Sequence, residues 1–238
     1  MQIKLDAHTH TLASGHAYST ILENAQFAAE RGLSLLAITE HAPCMSDAPP
    51  LSYFYDYARL DKELYGVEML YGVELDIMDY RGKLSMEQRV LDRMDIGIAS
   101  FHEVICRSGS RAENTRAFLG AMQTPGVSII GHPDDGNIPV DYEALVLEAK
   151  RVGVLLEVNN SSFAPWHYRQ NARENYRILL SLCERHGVMV VLGSDAHFAS
   201  DVGVFDSALA LMEETSFPAK LVVNTDPVRF KQILAKRK

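Results

Sequence analysis

Residues 33–41 read LSLLAITEH. The strand-sized apolar run at 35–39 ends in a carboxylate and an imidazole, Glu40 and His41. It shows little in-out alternation, as expected of a strand buried on both faces of a parallel sheet. Just before it, Thr20 with Glu23 spells a capping box, and Gly32 closes the helix that the box opens. Working outward, similar runs stand at 3–7, 69–73, 96–100, 127–131, 154–158 and 190–193, with helical patterns between most of them. Asn171 with Glu174 predicts the start of another helix, which Gly187 ends, and Asp226-Pro227 reads as N-cap and first residue of a last one. Seven strands in β-α alternation predict an α/β barrel or, failing that, an open doubly wound sheet. No glycine-rich phosphate loop of either common type follows any strand, so a nucleotide-binding open sheet has no motif behind it.

The chain has 238 residues, 47% hydrophobic and 23% charged, with no repeat and no convincing linker. One domain, 1–238, is expected, large enough to bury a core without disulfides. Lys and Arg number 23 against 31 Asp and Glu, a net charge of −8. So acidic a chain is poorly suited to long nucleic acid or an anionic membrane surface. Cys44, Cys106 and Cys183 are odd in number and widely spaced, which fits a reducing compartment. The opening MQIKLDAHTH turns polar at once and does not read as a signal peptide, and no apolar run is long enough for a membrane span. A cytoplasmic protein is expected.

The nine histidines are not scattered. His8 and His10 end the first run, His41 follows the second, Glu74 the third, His102 the fourth and His132 the fifth, and Asp195 and His197 follow the last. His16 lies in the loop after the first strand. In a barrel or an open α/β sheet, the C-terminal edge of the strands is where active sites sit. The remaining run, VLLEV, leads into the polar Asn159-Asn160-Ser161-Ser162. Two histidines fall outside the pattern: His186 stands at a helix C-terminus, where it suits the helix dipole, and His167 lies in an aromatic loop, WHY. A lone histidine is more often a packing residue than a ligand, but seven imidazoles and two carboxylates on one face predict metal ligation. A catalytic zinc takes about three protein ligands, so nine ligands predict three divalent ions. Imidazole and carboxylate without thiolate suit Zn²⁺ first, with Mn²⁺ or Fe²⁺ as alternatives.

These residues resemble the PHP (polymerase and histidinol phosphatase) superfamily. Its first motif, H-x-H, is similar to His8-Thr9-His10, its second to Glu40-His41, its third to the region of His102 and His132, and its fourth to Asp195-x-His197. SGHAYST (14–20), ENAQFAAERGL (23–33), NNSSF (159–163) and LGSDAHF (192–198) most resemble the YcdX-like phosphatase branch. The resemblance implies a distorted (β/α)7 TIM-like barrel with a trinuclear site at its C-terminal face. By motif, metal one would take His8, His10, Glu74 and Asp195, metal two Glu74, His102 and His132, and metal three His16, His41 and His197. The branch also implies a homotrimer. Glu40 departs from the commoner Asp of the family and is expected behind the ligands. The loop from 164 to 171 looks longer than usual, and Pro133-Asp134-Asp135-Gly136 more acidic; both bear on substrate shape.

Such a set predicts a phosphatase for a small phosphate monoester. The expected nucleophile is a metal-bound hydroxide at the Glu74-bridged pair, with Asp195 as an additional proton-handling group. Arg107, Arg111, Arg169 and Arg173 are candidates for a phosphate clamp. The competing readings are a PHP-type phosphodiesterase or exonuclease acting on nucleotides or nucleic-acid ends, a metal-dependent amide or lactone hydrolase, and a non-enzymatic metal-binding module. The histidine set for a third metal argues against the amide hydrolase, and the complete ligand set against the inert module.

Overall fold

The computed structural model describes residues 1–165 and 169–238. It contains the strands β1 (Leu5–Asp6), β2 (Leu35–His41), β3 (Glu63–Leu64), β4 (Val67–Asp76), β5 (Ile96–Ser100), β6 (Val127–Ile130), β7 (Leu155–Asn159) and β8 (Val190–Gly193). Seven of them pair in parallel in the order β1-β2-β4-β5-β6-β7-β8. All seven predicted runs are therefore strands of one sheet. β3 is an addition that the sequence reading missed. It pairs antiparallel with the start of β4 through a two-residue turn, Tyr65-Gly66, with φ of 53° and 78°. Positive φ at both positions suits a tight hairpin, but Tyr at the first hides the usual Asn-Gly signal.

The sheet nearly closes on itself. Between β1 and β8 the seam is sewn by Asp195 N–H donating to the His8 carbonyl and His10 N–H to the Ala196 carbonyl, each at 2.9 Å. Below them the buried Asn224 side chain donates to the carbonyls of Leu5 (3.1 Å) and Leu192 (2.9 Å) and accepts from Leu192 N–H (2.7 Å). The result is a distorted (β/α)7 barrel, so the open-sheet alternative falls.

Period-2 alternation fills it. Leu5, Leu35, Ala37, Leu70, Ile96, Ile98, Ile129, Leu155 and Val191 form an interior cluster, closed at the bottom by Phe230 and Leu234 of the last helix. Their neighbours Leu36, Ile38, Met69, Val73, Leu156 and Val158 pack outward in the larger core shared with the helices. Followed upward, the inward rows change from apolar to Thr39 and His41 on β2, Glu74 and Asp76 on β4, and Glu157 and Asn159 on β7. The plug below therefore supports a polar floor above.

The helices are α1 (Ile21–Glu30), α2 (Leu51–Asp56), α3 (Gln88–Leu91), α4 (Arg111–Ala121), α5 (Tyr142–Val152), α6 (Ala172–His186), α7 (Asp206–Glu214) and α8 (Pro227–Lys236). The Thr20/Glu23 capping box opens α1, and Asp226 caps α8 ahead of Pro227, both as expected. The predicted cap on α6 is not made. Asn171 stands at that position with φ 55°, a left-handed backbone that accompanies a side chain making no capping bond. No helix among the described residues is long and apolar enough to cross a membrane.

Candidate metal centre

All nine predicted residues converge at the C-terminal rim of the barrel, with Glu74 in their middle. Its Oε1 lies 2.9 Å from His132 Nε2 and 3.5 Å from both His8 Nε2 and His102 Nε2. Its Oε2 lies 2.8 Å from His41 Nδ1 and 3.6 Å from His10 Nε2. Asp195 Oδ1 is 3.3 Å from His10 Nε2 and 3.7 Å from His8 Nε2. Further out, His16 Nε2 is 2.9 Å from His197 Nε2 and 3.3 Å from His41 Nε2.

Three groups each bring their donor atoms within 4.8 Å of one another: His8, His10 and Glu74; Glu74, His102 and His132; and His10, His41 and His197. Donors about 2.1 Å from a tetrahedral ion stand roughly 3.4 Å apart, so these spacings suit cations. In the outer group the geometry joins His10 to His41 and His197, besides the His16 that the family pattern implies. Two further observations support the fit. Buried Glu74 Oε2 and His41 Nδ1 face each other without a well-formed hydrogen bond to any group. Several imidazole pairs also meet Nε2 to Nε2, as at His8 and His10, 3.1 Å apart. A buried polar atom without a partner is costly, and cations bound among these atoms would satisfy them.

Glu74 is the third residue from the end of β4 and His41 the last of β2. Both thus point up from rigid strands, where the sequence reading had them just beyond. His132 and Asp195 follow β6 and β8 with φ of 27° and 54°. Non-glycine residues in this region carry about 1–3 kcal/mol of strain each, and such residues cluster at functional sites. Here the bend is held by His132 N–H donating to Glu157 Oε2 (2.7 Å) and by Asp195 N–H donating to the His8 carbonyl.

The groups behind the imidazoles were largely missed. Glu157 Oε1 sits 2.8 Å from His8 Nδ1, and Asp76 Oδ1 sits 2.7 Å from His102 Nδ1. Asp47 Oδ2 sits 2.7 Å from His16 Nδ1, and the Asp195 carbonyl 2.9 Å from His197 Nδ1. Ser14 Oγ is 3.4 Å from His10 Nδ1 and donates to Glu40 Oε2 at 2.5 Å; Glu40 thus stands behind the site as expected. Fixing Nδ1 turns Nε2 toward the centre, which is how metal-binding histidines are oriented. Two signals were available: Glu157 is the one charge in an apolar strand, and Asp76 shares the inward face of Glu74 two residues on. Gly193 makes room for Glu157, since a Cβ there would lie 2.0 Å from Glu157 Oε1.

Electrostatics match this layout. Burial opposes ionisation of Glu74, but His8, His102 and His41 outweigh it and hold its carboxyl well below the usual range. Asp195 behaves likewise among His8, His10 and His197. Burial, then the facing His41 and His197, pushes His10 well below the ordinary imidazole value. Burial, then Arg169, lowers His132.

The site opens into a cavity of about 360 Å³ lined by His16, His41, His102, Arg169, Asp195 and Asp201, among others. Of the four candidate arginines, only Arg169 is brought here; its Nη1 donates to Ser162 Oγ (2.7 Å) and its Nη2 lies 3.7 Å from Asp195 Oδ2. Arg111 spends its Nε on the Val140 carbonyl, and Arg173 pairs with Glu214. Exposed Arg107 does not line the cavity. The acidic 133–136 segment braces the Arg169 loop: buried Asp134 accepts from Ser162 Oγ, and Asp135 from Gln170 N–H, each at 3.2 Å. His186 is the last residue of α6, and His167 lies outside the described residues. All three cysteines are free thiols.

The PHP domain model matches residues 6–216, and the chain belongs to that family. A protein of Clostridium novyi named a probable phosphatase is 44% identical over 95% of this chain and 92% of its own length. Another of that name, from Caldanaerobacter subterraneus, is 41% identical over 100% and 93%. Among solved structures, histidinol phosphate phosphatase from Lactococcus lactis, determined with zinc, L-histidinol and phosphate, superposes with a TM-score of 0.62 at 20% identity, covering 90% of this chain and 94% of that one. A chain of archaeal ribonuclease P with mature tRNA superposes with a TM-score of 0.54 at 16% identity, over 98% and 87%. These two likenesses concern the fold alone, which serves quite different proteins.

Proposed function

We propose that this protein is a metal-dependent phosphatase that hydrolyses a small phosphate monoester with three divalent cations, zinc foremost and manganese or iron as alternatives. The observation that carries this reading is Glu74: a buried carboxylate with five imidazoles around its two oxygens, at the base of a cavity that also holds an arginine. The names of the relatives support it. His8, His10, Glu74 and Asp195 would hold one cation, Glu74, His102 and His132 a second, and His16, His41 and His197 a third. When bound, such cations lower the pKa of coordinated water toward about 7 and offset the charge of the phosphoryl oxygens.

The side chains supply the rest. Arg169, steadied by Ser162, offers its guanidinium to a phosphoryl oxygen. Asp195 Oδ2 accepts from Asn159 Nδ2 at 3.1 Å and faces Arg169. Held ionised, Asp195 has no proton to give to a leaving group. We treat residues 1–238 as one domain acting in the cytoplasm, where its three thiols stay reduced.

The test is a panel of phosphomonoesters and diesters, with zinc, manganese and iron reconstituted separately. Two to three equivalents of metal and turnover of nitrophenyl phosphate are expected. A strong chelator should abolish activity and added metal restore it. Less than one equivalent after reconstitution would overturn the metal assignment. A diester cleaved much faster than every monoester would favour the phosphodiesterase reading.

A further inference from the structure

A second cavity, of about 280 Å³, adjoins the first and shares Ser161, Asp195 and Asp201 with it. Phe163, Pro165 and Val204 give it apolar walls, and Ser161 and Ser207 bring hydroxyls. If phosphate lies over Glu74, this space is where the rest of the molecule can go. Its charge is one-sided. No lysine or arginine is among the described residues that line it, whereas the carboxylate of Asp201 stands at the junction.

Two features that could have welcomed an anion are already used. The first amides of α7, which would otherwise attract negative charge, are taken by Asn160: its Oδ1 accepts from Ser207 and Ala208 N–H, each at 3.1 Å. Arg31 approaches the Asp201 loop from behind, and its two terminal nitrogens donate to the carbonyls of Val202 (2.5 Å) and Ser200 (2.6 Å). Gly203 N–H donates to buried Asp6 Oδ2 (2.9 Å), so the loop is fastened on both sides of Asp201. The Asp201 carboxylate forms no ion pair among the described residues, and the hydrogen bond it accepts there comes from the neighbouring Ser200 Oγ.

We propose that Asp201 is a specificity-determining residue that screens the leaving group by charge: the site takes phosphate monoesters of neutral or cationic alcohols and turns away those with a second anionic group. The inference rests on the phosphatase reading above. An exposed carboxylate repels a second phosphate through partly screened solvent, so the expected discrimination is about three- to tenfold and shrinks with salt.

The test compares metal-reconstituted wild type with Asp201→Asn and Asp201→Ser. One readout is the ratio of kcat/KM for fructose 1,6-bisphosphate to that for fructose 6-phosphate. Both variants should raise this ratio about three- to tenfold at low salt, while phosphocholine should lose ground to fructose 6-phosphate. The second readout needs no turnover: calorimetric Kd values for 1,3-propanediphosphonate and propylphosphonate, whose ratio should move in the same sense. Turnover with both ratios unchanged overturns the charge screen and leaves the phosphatase reading standing. A shifted phosphonate ratio without hydrolysis of any ester upholds the screen and overturns the phosphatase reading. Failure of both phosphonates to bind overturns the screen as well.

Discussion

The imidazoles around Glu74 and those around His16 differ in what stands behind them. In the inner group, His8, His10 and Glu74 are almost wholly buried, and the carboxylates that orient His8 and His102 rise from β7 and β4, inside the barrel. In the outer group, His16 and its partner Asp47 are loop residues with side chains 43% and 42% exposed. A cation held by the inner group would rest on Glu74 of β4 and on buried histidines just past β1, β5 and β6, which cannot shift without disturbing the core. One held through His16 would depend on a solvated loop, where charge pairs contribute little. The two ends of one donor set should therefore differ in affinity and exchange, although the donor chemistry is nearly the same.

The largest effect should come from Glu74→Ala. As the residue common to the two inner donor groups, it should cost both inner cations and at least about a thousandfold in kcat/KM, read by elemental analysis and kinetics. A crystal of Glu74→Ala with every metal in place would break the comparison at its root. Next comes Glu157→Gln, which leaves the donors intact but weakens the acceptor behind His8. A loss of about 10–100-fold in metal affinity is expected. Gly193→Ala should resemble it, since the added methyl occupies the space of Glu157 Oε1. Were both variants to bind metal like the wild type, the buried support would be irrelevant.

Much of this was legible because barrel topology converts a one-dimensional pattern into a place. Each strand ends at the same rim, so a polar residue after each apolar run at 3–7, 35–39 and 127–131 already implied a shared site. The donors were readable for that reason, and, Glu40 apart, their supports were not. Glu157 sits mid-strand in VLLEV, where only closure of the barrel brings it to His8, 149 residues away in sequence. Asp47 was hidden in a loop that carries no periodic signal. Three of the four candidate arginines lie elsewhere for another cause: sequence places an Arg near a rim but cannot say which carbonyl or carboxylate claims it. Val140 claims Arg111 and Glu214 claims Arg173, and only Arg169 reaches the cavity.

A smaller effect is expected at the outer group. His16→Ala should remove one equivalent of metal or raise its exchange rate, and lower kcat/KM by about 10–100-fold, with the inner equivalents kept. Asp47→Asn, altering only the exposed acceptor, should cost about threefold or less. Competition with a graded series of chelators reads both. If Asp47→Asn weakened metal binding as much as Glu157→Gln, burial would not be what separates the two groups.

The smallest effect should be at Cys44, behind the inner group. Its Sγ lies 2.7 Å from Asp76 Oδ2, and the other oxygen of that carboxylate holds His102. Burial, then the adjacent Asp76 charge, pushes the thiol up to about 12. A raised thiol pKa keeps the proton on sulfur below that value, and since the thiolate is the reactive form, only about one molecule in ten thousand is nucleophilic at pH 8. Iodoacetamide at pH 8 should therefore leave Cys44 unmodified over the time in which free cysteine reacts completely, and activity should be untouched. Cys44→Ser keeps a donor to Asp76 and should stay within about threefold of wild type. Cys44→Ala removes the donor and should lose somewhat more. Mass spectrometry of the alkylated protein decides it. Rapid modification of Cys44 with matching loss of metal would mean that Asp76 is held from the thiol side after all, and that the inner group is less self-contained than its burial suggests.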